Sequence, residues 1–92
     1  MSPELRTTLD SAVSHLKAAG AREVYVFGSG ARDSGPPPLD LDLAVSGLPS
    51  GQFFHMQGVL LSLDHPVDLV DLDRSTPFTH HLRHARELVR VG

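Results

Sequence analysis

The residues able to do chemistry in this chain are a set of aspartates and one glycine–serine turn. Asp40-Leu41-Asp42-Leu43 places two acids at alternate positions of an apolar run. Alternate residues of a strand share a face, so the two carboxylates project together while Leu39, Leu41 and Leu43 point the other way, into a core. Upstream, Val24-Tyr25-Val26-Phe27 runs into Gly28-Ser29-Gly30-Ala31-Arg32. A hydrophobic run that stops at Gly-Ser predicts a strand ending in a tight turn. Backbone N–H groups at such a turn can face an anion such as a triphosphate, and Arg32 lies beside it. A phosphate cradle and paired carboxylates are the parts needed to hold a nucleotide through divalent metal.

Phosphoryl and nucleotidyl transfer ask for metal ions to clamp phosphates, oriented donors and a nucleophile held in line. Two ions roughly 3.5–4 Å apart need shared carboxylates, and Asp40 and Asp42 provide them. Magnesium takes oxygen ligands and keeps water, so a third carboxylate plus phosphate oxygens completes a site. Asp64, Asp68, Asp71 and Asp73 are the acids available from a neighbouring strand. Asp64 falls in the turn before that strand, and Asp71 and Asp73 alternate onto the face opposite to Asp68. Val67 and Leu69 flank Asp68 as core residues would, leaving its carboxylate on the other side. Asp68 is therefore the expected third ligand, placed to accept the proton of an attacking hydroxyl as well.

These side chains need elements to position them. Ser2 and Pro3 suit the cap and first turn of a helix, and Glu4 adds favourable charge there. Leu5, Leu9, Ala12, Val13 and Leu16 recur at helical spacing until Gly20 supplies the stop. A strand is predicted over about residues 23–27, then a turn over 30–35. Pro36-Pro37-Pro38 forces extended backbone into a second strand at about 39–45. A helix over 52–63 would bury Phe53, Met56, Leu60 and Leu63, with Gly58 weakening it by about 1 kcal/mol. Asp64-His65-Pro66 ends it, and a third strand is predicted at 67–72. Thr76 and Pro77 restart a helix whose buried stripe is expected to be Phe78, Leu82, Ala85 and Val89. The expected class is α/β, a small mixed sheet of three or more strands with helices packed on it, forming a single domain over residues 1–92.

Composition narrows the partners. Ninety-two residues give one modest core, and the absence of cysteine excludes disulfides and thiolate metal sites. Neither a leader pattern nor an apolar run of spanning length is present, so a cytoplasmic protein without membrane contact is expected. Of the eleven acids, Asp33, Asp40, Asp42, Asp64, Asp68, Asp71 and Asp73 all fall where no Lys or Arg intervenes. An acidic centre suits divalent cations, while a net charge of -3 without a basic cluster argues against direct nucleic-acid binding.

Phe27-Gly28-Ser29, the spacing to Asp40-Leu41-Asp42-Leu43, and Val67-Asp68-Leu69 together resemble the signature of DNA polymerase β-like nucleotidyltransferases. Within that superfamily Gly28-Ser29-Gly30-Ala31-Arg32 resembles the minimal nucleotidyltransferases, over roughly residues 4–88. The three prolines of the 33–39 segment and Leu39 depart from the usual form. The resemblance implies the polymerase β-like fold and an antitoxin whose partner is an all-helical toxin of the HEPN type, in a hetero-oligomer. It implies transfer of AMP from ATP to a hydroxyl, with a toxin tyrosine as acceptor. Gly28 and Ser29, with Arg32, would bind the triphosphate; Asp40 and Asp42 would ligate two Mg2+ ions; Asp68 would complete the site and activate the acceptor.

Other features carry less. Asp33 stands where a dinucleotide fingerprint needs its third glycine, and no Gly-Lys-Ser/Thr exists for a Walker loop. His80 and His84, with His81 beside them, have zinc-compatible spacing but fit a solvated or partner-facing surface. Tyr25 and Phe27 fit a sheet core. Two further functions are compatible with the sequence: a non-catalytic antitoxin that masks its partner, and a nucleotidyltransferase acting on a small molecule. The second is disfavoured because no acceptor-gripping domain is visible in the chain.

Overall fold

The computed structural model describes residues 3–27, 41–63, 65, 67–84 and 88–92. Helix α1 (Pro3–Ala18) buries Leu5, Thr8, Leu9, Ala12 and Leu16, one stripe at helical spacing. Its stop is a Schellman cap. Ala21 N–H donates to the Leu16 carbonyl at 3.0 Å and Gly20 N–H to that of Lys17 at 3.1 Å, around Gly20 at φ 110°. Only a residue without Cβ holds that φ without strain.

Strands β1 (Glu23–Phe27) and β2 (Leu41–Ser46) pair antiparallel, with Phe27 opposite Asp42 and Tyr25 opposite Ala44. Helix α2 (Ser50–Leu61) then crosses to β3 (Val67–Asp71), which runs parallel to β2; parallel neighbours need such a crossover. Helix α3 (Pro77–His84) leads to β4 (Val89–Arg90), antiparallel to β1. The sheet order is β3-β2-β1-β4, a mixed sheet with β3 and β4 at its edges.

One face of the sheet meets α1 and α2. Val24, Val26, Leu41, Leu43, Val45, Val67 and Leu69 join Leu9, Leu16, Met56 and Leu60 in the main core. Leu16, Leu41, Leu43 and Leu60 are fully buried, each worth about 1.5–3 kcal/mol relative to exposure. The other face is covered in part by α3, where Phe27, Ala44, Leu72 and Leu82 form a second, smaller cluster with Tyr25, Val70 and Leu88 packed against it.

The expected class holds, with β4 as a fourth strand, and several element limits move. Helix α2 starts at Ser50 and ends at Leu61, earlier than its hydrophobic pattern indicates. Strand β3 ends at Asp71, because Leu72 turns out of the ladder while its N–H still reaches the Val45 carbonyl at 2.9 Å. Val89, expected in the buried stripe of a helix, belongs to β4 and is exposed. Phe78, expected in the same stripe, is 51% exposed. Ala85 lies outside the described residues.

Candidate active site

The register of the parallel pair sets the site. Asp42 of β2 lies directly opposite Asp68 of β3, between the Leu41–Val67 and Leu43–Leu69 pairs. Register partners in a sheet share a face, and adjacent strands lie about 4.8 Å apart. Leu41, Leu43, Val67 and Leu69 take the core face, so the two carboxylates stand side by side on the opposite one. Asp42 is half-buried and Asp68 exposed. Phe27, the last residue of β1, completes the row from the other neighbour. The end of β1 and the beginnings of β2 and β3 thus meet at one end of the sheet.

Of the sequence-predicted site, the described structure brings together Asp42 and Asp68. Gly28, Ser29, Arg32 and Asp40 lie outside the described residues. Among the described residues no group of three His, Cys, Asp or Glu side chains gathers as a metal site, so the pair is what they supply. Its chemistry is that of hard oxygen donors. Asp68 has no side-chain hydrogen bond or ion pair among the described residues, where the salt bridge is Arg6–Asp10 on α1 at 3.5 Å. Two adjacent carboxylates, with no ion pair to Asp68 among the described residues, fit a divalent oxygen-seeking ion.

The competing acids are otherwise engaged. Asp73 accepts a hydrogen bond from Ser46 Oγ at 3.1 Å and another from Gly47 N–H at 2.7 Å, while Asp71 Oδ1 accepts one from Asp73 N–H at 3.0 Å. Asp73 fastens the exit of β3 to the exit of β2, and Asp71 holds the turn that carries Asp73, at the opposite end from Asp42 and Asp68. Gly47 sits at φ 78°, and a Cβ there would come 2.5 Å from Arg22 Cγ. Asp64 lies outside the described residues.

Tyr25 shares the face of Asp42 through the β1–β2 register, one pair further along. Its hydroxyl donates to the Glu23 carboxylate. That hydrogen bond, then burial, then the Glu23 charge raise the phenol above its ordinary 10.0, against an opposing pull from Arg90 and Arg83. It is a structural tyrosine tied within β1. Arg83 donates to the Leu72 carbonyl at 2.9 Å, binding α3 to the end of β3. His80 and His84 stack one turn apart with ring centroids 6.2 Å from each other, and His80 Nε2 lies 3.3 Å from Ser75 Oγ. A residue that sequence reasoning missed is Phe54, 75% exposed on α2. The signal was available: Ser50–Leu61 contains no Asp, Glu, Lys or Arg.

No protein-family model matches the chain, and no characterised protein matches it by sequence. A search of solved structures finds the crystal structure of a toxin–antitoxin complex, MntA–HpeT. That complex was crystallised as a double mutant in which two aspartates separated by a single residue are replaced by glutamate. The superposition has a TM-score of 0.65 at 21% identity and covers 88% of this chain and 69% of the other. At that identity the likeness is one of fold: the small mixed sheet with its helices is an arrangement this chain shares with the structure of that complex. Among the described residues no helix is long and apolar enough to cross a membrane.

Proposed function

We propose that this chain is a nucleotidyltransferase that moves AMP from ATP, with Mg2+, to a hydroxyl of a partner protein, and that it serves as the antitoxin to that partner. The observation that carries the reading is the in-register placement of Asp42 and Asp68 on the sheet face opposite the main core. The neighbour's complex supplies the biological class, and its paired mutated aspartates have the spacing of Asp40 and Asp42. The partner by this reading is a helical toxin of the HEPN type, with a tyrosine as acceptor.

In the proposed reaction Gly28 and Ser29 hold the triphosphate, with Arg32 adding positive charge. Asp40, Asp42 and Asp68 would hold two magnesium ions, whose charge would offset that of the phosphates and of the departing pyrophosphate. Asp68, from the edge strand, faces the side from which an acceptor arrives. Its carboxylate takes the proton as the acceptor oxygen bonds to the α-phosphorus. The bond from that phosphorus to the oxygen bridging it to the β-phosphate breaks, and pyrophosphate leaves. The products are an adenylylated hydroxyl and pyrophosphate, with one proton gained by the carboxylate.

The test incubates the chain with ATP labelled at the α-phosphate, Mg2+ and the product of the adjacent gene. Wild type is expected to label that protein, and the Asp42→Asn/Asp68→Asn variant to leave it unlabelled. Full neutralisation of the partner by the double variant, with no label moved by wild type, contradicts the enzyme and favours masking.

A further inference from the structure

Helix α2 breaks the rule for a surface helix. Its inner face is normal: Met56 and Leu60 are buried, and Phe53 and Val59 pack against the core. Its outer face is Gly51, Phe54, Gly58 and Leu61, spaced three, four and three residues apart, and so on one side of the helix. All four are exposed, Phe54 at 75% and Leu61 at 52%, and a Cβ at either glycine would meet nothing within 4 Å. A helix apolar on both sides is normally covered on both. Large and small residues in alternation, with no charge on the helix, leave room for a second helix to approach its backbone closely.

The stripe continues into a groove of about 300 Å³ between α2 and α3, lined by Phe53, Phe54, Val70, Arg74 and Phe78 among others. A shared strand face and one ring contact join this groove to the carboxylate pair. Val70 comes after Asp68 on the same face of β3, and Phe78 lies edge-on to Phe27, ring centroids 6.1 Å apart, beside Asp42 in the register. Arg74 is exposed and has no side-chain hydrogen bond or ion pair among the described residues. Asp71 also lines the groove, but its Oδ1 is engaged by Asp73 N–H. A mainly apolar channel with the exposed Arg74 guanidinium in its lining therefore favours an occupant with an apolar face and a carboxylate.

We infer that the outer face of α2 and the α2–α3 groove are the docking surface for a helix of the protein partner, one carrying an apolar stripe and an acidic residue that meets Arg74. The inference rests on the reading of the partner as the nucleotide acceptor, and it explains how a small domain could bring that acceptor to Asp68. A second copy of this chain fits less well, because its own uncharged α2 offers no carboxylate from the packed helix to Arg74.

The experiment measures the affinity of the chain for the adjacent-gene product by titration calorimetry, and separately its binding of Mg2+–ATP and its self-association by light scattering. Phe54→Lys/Leu61→Lys changes only exposed side chains, so native circular dichroism and Mg2+–ATP binding like wild type are expected. Partner affinity is expected to fall at least 100-fold in that variant and about 10-fold in Arg74→Glu. Partner affinity within threefold of wild type in the lysine variant overturns the surface, and so does failure of wild type to bind that protein. Wild-type self-association lost in the lysine variant overturns the assigned occupant in favour of a second copy. If Mg2+–ATP binding fails in wild type while the lysine variant still loses its partner, the nucleotide reading falls and the surface stands.

Discussion

At the scale of single residues, the proposed function and stability pull Asp68 in opposite directions. Two carboxylates in register repel each other, and like charges directly opposite in a sheet cost about 0.2–1 kcal/mol. Asp68→Asn is therefore expected to raise stability by about that amount in low salt without divalent metal, while lowering nucleotide transfer at least about 10²-fold. Chemical denaturation with and without Mg2+ checks the first half: the ion should stabilise wild type and leave the variant nearly unmoved. Tyr25 gives a second test, in pH. Its folded pKa is raised, so the stability it contributes is complete below its ordinary 10.0 and is lost as pH rises through the folded value. Wild type should lose more stability between about pH 8 and about pH 11 than Tyr25→Phe does, read by thermal unfolding. Equal losses would show that the Glu23 hydrogen bond contributes nothing.

At the scale of elements, the parallel β2–β3 pair depends on what holds both ends. Asp73 fastens the exit of β3 to Ser46 and Gly47, so Asp73→Ala is expected to cost about 1–2 kcal/mol, measured by urea unfolding. Its effect on Mg2+–ATP binding should be smaller than that of Asp68→Asn, because the lost bonds lie at the far end of the strands. Gly58 offers the reverse change. It sits mid-helix with open space where a Cβ would go, so Gly58→Ala should stabilise α2 by about 0.5–1 kcal/mol. If Gly58 instead serves the close approach of a second helix, the same substitution lowers partner affinity while raising the unfolding midpoint.

Those elements also show why part of the fold was legible in the sequence. Strands β2 and β3 announce themselves because Leu41, Leu43, Val67 and Leu69 alternate with acids, and alternation fixes the face of each side chain. From that pattern Asp42 and Asp68 were readable as one-sided, but their direct pairing depends on strand order and register, which no local pattern encodes. Helix α3 and β4 were misjudged for a related reason. Phe78, Leu82 and Val89 fit a helical stripe equally well on paper, yet Val89 is drawn away into pairing with Val26 on β1. Tertiary hydrogen bonding overrode a local period.

At the scale of the whole molecule, the sheet has two unlike sides. Helices α1 and α2 seal one, and α3 covers part of the other, leaving Asp42 and Asp68 at the rim of that partial cover. Exposure of Phe54, Leu61 and Phe78 adds an apolar strip beside the rim rather than far from it. On the proposed reading, chemistry and partner binding share an edge of the domain, and the strand carrying Asp68 is itself that edge.

The most direct test tracks the amide signals of the folded protein while Mn2+ and ATP are added, Mn2+ standing in for Mg2+ and broadening nearby nuclei. Broadening should begin at Phe27, Asp42 and Asp68 in wild type and be lost in Asp68→Asn. Broadening centred on His80 and His84, or unchanged by that substitution, would contradict a metal–nucleotide site at the carboxylate pair.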